Sequence, residues 1–260
     1  MADALGDRMK SYEAAANGPR AFPGQPLVVR IDGSAFSSLT SGLRRPWDAR
    51  LTRTMDNVMA DVARRLGAVV GYSQSDEINL VFWTPCGPGA EYPLSGRFQK
   101  LASLSASLAA ASFARRAADE EGLVADLRDP AFFDARAFVV PTLQEAYHVL
   151  LWRQQDAVKN SVSSLARAHF PHARLQGLSG PMMQELLHQE KGVNWNDVPA
   201  RDKRGAFCRR FPIDRVAPDG TVLRRAEWRL FDCWLSKEEN PLKTLFEEAP
   251  AESVAKETDA

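Results

Sequence analysis

The sequence has few of the features that mark disulfide-stabilised or zinc-binding proteins. Its three cysteines, Cys86, Cys208 and Cys233, are odd in number and far apart, and no CxxC pair occurs. This usage argues against a disulfide framework and fits a reducing compartment. His169 and His172 have the spacing of a metal pair, but no cysteine or further histidine accompanies them. The sequence therefore contains no recognisable zinc motif.

Long apolar runs and an excess of one charge are also missing. The longest apolar run, LASLSASLAAASFA at 101–114, is too short and too rich in serine to cross a bilayer. The first residues, which include Asp3 and Asp7, lack the apolar core of a signal peptide. Because 33 basic residues balance 33 acidic ones, no overall field draws the chain to nucleic acid. We therefore expect a cytoplasmic protein without membrane contact, in which any polyanion site is a local patch.

Hydrophobic periodicity predicts an alternation of strands and helices. The predicted strands are 27–31, 68–73, 78–83 and 131–140, and the predicted helices are 47–66, 97–118 and 141–168. The order strand, helix, strand, strand, helix, strand is that of an α+β, ferredoxin-like fold, a four-stranded antiparallel sheet with helices on one face. Right-handed crossovers place the third strand between the first two and antiparallel to both.

This topology brings two acidic residues together. Asp32 follows the strand LVVRI, and Asp76 precedes the strand INLVFW. Because antiparallel neighbours begin where their partners end, both carboxylates are expected at one edge of the sheet. An acidic pair in a solvated turn is the alternative interpretation.

Two adjacent carboxylates repel each other unless a cation or a proton intervenes. Magnesium takes a couple of carboxylates and completes its shell with water and phosphate oxygens. Two such ions about 3.5–4 Å apart can clamp a phosphoryl transfer. Gly33 lets the backbone approach closely, and the amides of 33–37 can form an anion-binding concavity. The pattern favours a metal–nucleotide site.

Basic residues near these elements are weaker signals. Arg97 and Lys100 lie one turn apart at a predicted helix start, where anions are favoured. Arg44 and Arg45 follow the acidic site in the chain and could reach a triphosphate. All four also fit solvated surface charges. Trp152 is more typical of a core residue than of a base-stacking platform.

Five segments together resemble the tRNA-His guanylyltransferase family, whose members resemble polymerase palm domains but add nucleotides in the 3′-to-5′ direction. The resemblance covers about residues 25 to 210. The segments are VVRIDGSAF, GYSQSDEINLVF, RFQKLAS, FFDARAFVVP and LLWRQQDAVKNS. It implies a palm-like catalytic core in 1–140, a helical and basic tRNA-contacting portion of the same domain in 141–235, and an acidic, flexible tail in 236–260.

The resemblance also implies site residues, cofactors and partners. Asp32, Asp76 and the Gly33 carbonyl would bind two Mg²⁺ ions, with Glu77 as an accessory acid. ATP, GTP and other nucleoside triphosphates would be substrates, tRNA the partner, and the assembly a homotetramer built from dimers. The implied nucleotide cradle is Asp32, Gly33, Ser34, Ala35, Phe36 and Ser37 with Ser75 and Asp76. Positions implied to contact phosphates or tRNA are Arg45, Arg97, Lys100, and Lys203 with Gly205 in DKRGAF.

One departure from the family pattern bears on specificity. Eukaryotic members that act on tRNA-His carry His-Ile-Asn-Asn after the WRQ-x-D element, where this chain has Val158, Lys159, Asn160 and Ser161. The difference makes the chain resemble the bacterial and archaeal guanylyltransferase-like branch, which repairs truncated 5′ ends of tRNA against the opposite strand as template.

Two other functions remain open from the residues. A nucleotidyl cyclase of the diguanylate type uses a similar palm, but its GG(D/E)EF signature is absent and QSDE stands there instead. A non-catalytic RNA-binding module of the RRM kind would need exposed aromatics on its central strands. Phe82 and Trp83 are the candidates in INLVFW.

Overall fold

The computed structural model describes residues 4–15, 18–216 and 222–246. The strands are β1 (Leu27–Ser34), β2 (Val70–Gln74), β3 (Glu77–Phe82), β4 (Phe132–Val139), β5 (Ala206–Val216) and β6 (Val222–Phe231). The helices are α1 (Ala4–Ala15), α2 (Phe36–Leu39), α3 (Ala49–Leu66), α4 (Phe98–Ala118), α5 (Leu123–Asp126), α6 (Leu143–His169), α7 (His172–Leu175), α8 (Gly180–Lys191), α9 (Ala200–Arg204) and α10 (Pro241–Phe246). In the part of the chain that is described, no helix is long and apolar enough to cross a membrane.

All six strands form one antiparallel sheet in the order β4-β1-β3-β2-β5-β6. The first four strands have the predicted ferredoxin-like order. The register pairs Ile31 of β1 with Ile78 of β3, so the end of β1 meets the start of β3. The topology that the sequence predicts is confirmed for this part of the sheet.

One face of the sheet packs on α3 and α4. Alternate residues of β1 and β3, among them Val29, Ile31, Ile78 and Leu80, enter this core and are fully buried. The apolar stripe of α3 covers them, and Gly67 ends that helix in the left-handed conformation, with φ of 74°. In the strands every second side chain faces this core, and in α3 the apolar side chains recur every three to four residues. The two apolar surfaces pack together as one layer.

The opposite face of the sheet is also covered, which corrects the prediction of helices on one face. Val28, Tyr72 and Val81 point to this side and pack against Ala146 and Leu150 of α6. The helix α6 is 27 residues long, and only its first part lies over the sheet. Its second part, with α7, α8 and the turn at Trp195, forms a third hydrophobic cluster.

The C-terminal third contains strands where the sequence predicted a helical and basic portion. Strands β5 and β6 form a long hairpin that extends the sheet from β2. Arginines interrupt the apolar–polar alternation of these strands, so the sequence does not show the usual strand pattern. Phe207 and Cys208 are nevertheless completely buried, on opposite faces of the sheet.

The predicted flexible tail, 236–260, is ordered over its first part. Residues 235–246 form a short 3-10 turn and α10, and Leu235 and Leu245 are buried in the core on the α6 side. Residues 235–246 contain two acids and two lysines, and burial of these leucines stabilises the segment. The remainder of that prediction, 247–260, lies outside the described residues, and the proposed division into portions stays a prediction.

Candidate active site

The exit of β1 and the turn between β2 and β3 meet at one edge of the sheet. The backbone N–H of Gly33 donates to the carbonyl of Asp76, with an N–O distance of 3.2 Å. Ser75 and Asp76 form a two-residue turn, in which Ser75 has a φ of 50°. This hydrogen bond joins residues 43 positions apart in the chain, at the edge where the topology predicted that they meet.

The carboxyl of Asp76 lies in an unfavourable environment for its charge. Burial raises its pKa, hydrogen bonds from its backbone N–H and from Ser75 partly offset this, and the negative charges of Asp32 and Glu77 raise the pKa further. Burial likewise raises the pKa of Asp32, together with Glu77 and Asp134, while Arg30 and Arg136 partly offset the shift. Each raised pKa means that the ionised form is disfavoured in the fold. A cation at this edge would relieve that conflict.

The donor set at this edge fits magnesium better than zinc. Within residues 4–15, 18–216 and 222–246, no cluster of three or more His, Cys, Asp or Glu side chains could hold a metal. The protein therefore offers two carboxylates and backbone oxygens such as that of Gly33. Magnesium accepts so few protein ligands because it retains water and takes phosphate oxygens from substrates.

The segment after β1 turns sharply into α2. Ala35 adopts the left-handed conformation with φ of 54°, and the N–H groups of Ser38 and Leu39 donate to its carbonyl. Phe36 is buried and packs on Phe113 and Phe133, with ring centroids 5.7 and 5.3 Å away. Phe36 thus anchors the predicted cradle, while Ser34 and Ser37 are exposed.

Gly33 is required by packing in this turn. A Cβ at this position would lie 2.2 Å from Cδ2 of Phe36, far inside van der Waals contact. The absence of a side chain lets the ring of Phe36 enter the core directly beneath the strand end. The close approach that the sequence predicted is real, but the structure shows it towards Phe36.

Glu77 is occupied by a neighbour that the sequence did not reveal. Its two oxygens accept hydrogen bonds of 2.7 Å from Nε and a terminal nitrogen of Arg153 on α6. Asn79 donates a third, also 2.7 Å. Both charged side chains are almost fully buried. These contacts favour a positioning role for Glu77, and its assignment as an accessory acid stays a prediction.

A cavity of about 400 Å³ opens beside the Ser75–Asp76 turn. Its walls come from the loop before α3, the second half of α6, and the segment around α9. Polar and basic side chains in the wall include Arg44, Arg45, Ser75, Asp76, Asn160 and Arg167. Arg45 and Ser75 therefore line the same cavity as Asp76, and their role in nucleotide binding stays a prediction.

Arg97 and Lys100 are not brought to the acids within one subunit. Residues Gly96 and Arg97 contact Ala21 and Arg20, near the start of β1. Asp32 lies at the other end of that strand, roughly 16 Å away at about 3.3 Å per residue. The reason is chain direction: β3 begins just after Asp76 and ends at the opposite edge of the sheet, and the chain enters α4 from that edge. Any role of this pair towards tRNA stays a prediction.

Lys203 lies in α9, and Gly205 lies between α9 and the start of β5. Gly205 lines the cavity wall and has φ of 77°, and a Cβ there would lie within 2.4 Å of the Ser73 carbonyl. Lys203 donates to the carbonyl of Asn196 and lies 5.0 Å from the ring of Trp195. This lysine is therefore held by contacts within the protein, and its contact with tRNA stays a prediction.

Several neighbours of the acids were missed by sequence reasoning. Asp134 lies directly across from Asp32 in the pairing of β1 with β4, and Arg136 lies across from Arg30. Arg153 reaches Glu77 from α6. These three residues lie in FFDARAFVVP and LLWRQQDAVKNS, two of the segments that carry the family resemblance. Which acid each of them faces is decided by the strand register and by the position of α6.

The structure contradicts the RNA-binding alternative at the residues on which it depended. Phe82 is only 2% exposed and belongs to the core under α3 and α4, and Trp83 is half-buried. The central strands therefore do not present this aromatic pair to solvent.

An antiparallel sheet with two acids at one edge, beside a cavity lined by several arginines, is the arrangement expected of an enzyme that transfers phosphoryl groups. The sequence profile of the family described as Thg1, tRNAHis guanylyltransferase, matches residues 6–141. The chain therefore belongs to the tRNAHis guanylyltransferase family and is a nucleotidyltransferase, which sets the cyclase alternative aside.

Relatives and solved structures agree with this assignment. A bacterial Thg1-like protein in complex with ATP is 33% identical, with a TM-score of 0.80, over 94% of this chain and 99% of that chain. A bacterial Thg1-like protein in complex with GTP is also 33% identical, with a TM-score of 0.72, over 88% and 91%. A probable tRNA(His) guanylyltransferase of Drosophila melanogaster is 28% identical over 73% of this chain and 68% of its own length.

Proposed function

We propose that this enzyme repairs the 5′ end of tRNA by adding nucleotides in the 3′-to-5′ direction, in a magnesium-dependent reaction activated by ATP. The observation that carries the proposal is the hydrogen bond that joins Gly33 to Asp76 and so places Asp32 and Asp76 at one sheet edge. Similar structures in complex with ATP and GTP support nucleotide substrates.

The reaction would proceed in two phosphoryl transfers. An oxygen of the tRNA 5′-monophosphate attacks the α-phosphorus of ATP, and pyrophosphate leaves. The 3′-hydroxyl of an incoming nucleoside triphosphate then attacks the activated 5′ phosphorus, and AMP leaves. Such transfers need positioning and charge stabilisation more than covalent catalysis by the protein.

The side chains at the sheet edge suit these tasks. Asp32 and Asp76, with the Gly33 carbonyl, would hold Mg²⁺, which neutralises the charge that develops on phosphate oxygens. The adjacent cavity has cationic side chains in its wall, Arg44, Arg45 and Arg167. They would pair with the negative charges of a triphosphate bound there. Glu77 and Arg153 fix the start of β3 behind Asp76.

Ser161 supports assignment to the repair branch rather than to strict tRNA-His recognition. This residue replaces the last asparagine of the eukaryotic block, and its hydroxyl accepts a 3.0 Å hydrogen bond from the indole of Trp195. It is only 3% exposed, so it braces α6 against the turn at Trp195. A residue in that position cannot read an RNA base.

A tRNA that lacks its first nucleotide and carries a 5′-monophosphate tests the activity. With magnesium, ATP and all four triphosphates, we expect extension by one nucleotide, complementary to the opposite strand. Asp76→Ala should abolish extension, whereas Asp129→Ala, at an exposed acid, should retain it. No extension by the wild-type enzyme, or full activity of Asp76→Ala, would refute the proposal.

Substrate range and assembly are tested separately. Truncated tRNAs of different identity should be extended at comparable rates, and restriction to tRNA-His would overturn the assignment to the repair branch. The implied homotetramer, a dimer of dimers, predicts four times the mass of one 28.8 kDa chain in sedimentation equilibrium.

A further inference from the structure

Two large aromatic side chains are exposed near the paired acids. Trp152 on α6 is 56% exposed, and Phe132 at the start of β4 is 65% exposed. Phe132 alternates with Phe133, which faces the α3/α4 core, so it points to the same side of the sheet as Asp32. Exposed tryptophan is unusual because its large apolar surface favours burial.

Trp152 is held in place by two arginines. The guanidinium carbon of Arg153 lies 4.6 Å from the centroid of the indole, and that of Arg30 lies 5.9 Å away. Arg153 is itself fixed by Glu77, and Arg30 is two residues from Asp32 on the same side of β1. The ring is therefore tied to both acidic elements of the candidate active site, at Asp32 and beside Asp76.

Charged residues of β1 and β4 lie beside Trp152. The strand register places Arg30 opposite Arg136 and Asp32 opposite Asp134. Within the described ranges, Nε of Arg30 is buried without a hydrogen-bond partner, and its guanidinium lies 5.9 Å from the indole. Arg136 is 58% exposed and its nearest acid, Asp134, is 4.0 Å away.

We propose that Trp152, held by Arg30 and Arg153, is the platform on which the terminal base of the RNA 5′ end stacks next to Asp32. This inference rests on the proposed function. The occupant is the RNA rather than the free triphosphate, because the cavity beside the Ser75–Asp76 turn has four arginines in its wall, does not include Trp152, and so suits the triphosphate. Aromatic stacking accepts any base, as an enzyme that repairs varied 5′ ends requires.

The test uses the full-length enzyme and a 5′-monophosphate tRNA whose first base is 2-aminopurine, with magnesium and without triphosphates. The wild-type enzyme should quench the fluorescence of the base. Trp152→Ala and Trp152→Leu should lose the quenching and weaken RNA binding by roughly tenfold. Trp152→Phe should retain most of both. Tyr12→Ala, which removes an aromatic that is 65% exposed on α1, is the matched control.

The variant Trp152→Leu distinguishes base stacking from apolar packing. Its leucine can still pack on Arg153, but it has no aromatic ring on which a base could stack. Binding of ATP alone, measured by calorimetry, should be unchanged in every variant. Unchanged quenching and RNA affinity in Trp152→Leu would overturn the proposal, and so would a loss of ATP affinity equal to the loss of RNA affinity.

Failure of this inference is distinguishable from failure of the proposed function. If the wild-type enzyme extends truncated tRNA and Trp152→Leu binds RNA normally, the platform is refuted and the reaction stands. If quenching depends on Trp152 but no extension occurs, the platform stands and the reaction is refuted. Thermal unfolding of each variant shows whether a loss comes from misfolding, and Trp152→Phe remains informative in that case.

Discussion

At Asp76 a single carboxyl group links the stability of the fold to cation binding. Its side chain is partly buried beside Asp32 and Glu77, and these acids and burial raise its pKa above the ordinary 3.8. Ionisation is therefore unfavourable in the folded chain without metal. Functional sites commonly retain such locally unfavourable groups because the reaction needs them.

Asp76→Asn should stabilise the metal-free enzyme at pH 7. A raised folded-state pKa means that the fold is penalised as pH rises through that pKa, and the penalty is absent below the unfolded pKa near 3.8. We expect Tm in EDTA to rise by about 2–4 °C, the shift that about 1 kcal/mol gives in a chain of this size. The gain should shrink as pH is lowered towards 4.

Magnesium should reverse which protein, the wild type or Asp76→Asn, has the higher Tm. The wild-type Tm should rise with Mg²⁺ because the ion binds only the folded state, whereas the Tm of Asp76→Asn should not. Differential scanning calorimetry in EDTA and in Mg²⁺ measures both effects, with Asp129→Asn as the exposed control. A lower Tm of Asp76→Asn in EDTA would contradict the electrostatic account.

At the scale of elements, α6 is connected to the sheet edge by one nearly buried ion pair. The exposed fractions of the Arg153 and Glu77 side chains are 11% and 7%. A buried pair of this kind adds little net stability over apolar residues, but removal of one partner leaves the other charge without compensation. The pair therefore fixes where α6 and β3 meet.

Arg153→Met should lower the free energy of unfolding by about 3–5 kcal/mol, because Glu77 is left buried and ionised. Adding Glu77→Gln should recover much of this loss. Urea denaturation of the two single variants and the double variant measures the coupling. Arg174→Met is the control, since its pair with Glu190 is exposed at 57% and 43% and should contribute at most about 1 kcal/mol. Equal losses in Arg153→Met and Arg174→Met would be inconsistent with this account.

The strands that carry strong periodicity were predictable from sequence, and with them the meeting of Asp32 and Asp76. Strands β5 and β6 were not, because a hairpin at the sheet edge is largely solvated and can carry arginines on both faces. The length of α6 was predictable, but not that it covers the second face of the sheet. Arg153 could not be paired with Glu77, since helix placement decides which strand it meets.

Two positions could have been placed from information that the sequence did contain, and the expectation of a buried Trp152 was wrong. The buried residues of α6, such as Leu150, Gln154 and Ala157, recur at intervals of three to four. Trp152 lies about 200° around the helix from Leu150 at 100° per residue, so it had to point away from that stripe. The position of Arg97 near the start of β1 likewise follows from the direction of β3.

At the scale of the whole molecule, the C-terminal segment 233–246 packs against α6 and completes the second core. The side-chain amide of Gln154 donates to the carbonyl of Cys233, 2.8 Å away, and accepts from the N–H of Leu235, 2.9 Å away. Leu235 and Leu245 then complete the core that α6 forms with the sheet. The last described residues thus stabilise the same helix that carries Trp152 and Arg153.

Leu245→Ala should therefore behave as a core substitution rather than as a change in a flexible tail. Its side chain is completely buried, and such truncations typically lower the free energy of unfolding by about 2–5 kcal/mol. Leu242→Ala on the same short helix, where the leucine is 36% exposed, should change it by less than about 1 kcal/mol. Urea denaturation of both variants measures the difference. If the two changes were equally small, residues 235–246 would not be part of the core, and the anchoring of α6 would have to come from the sheet alone.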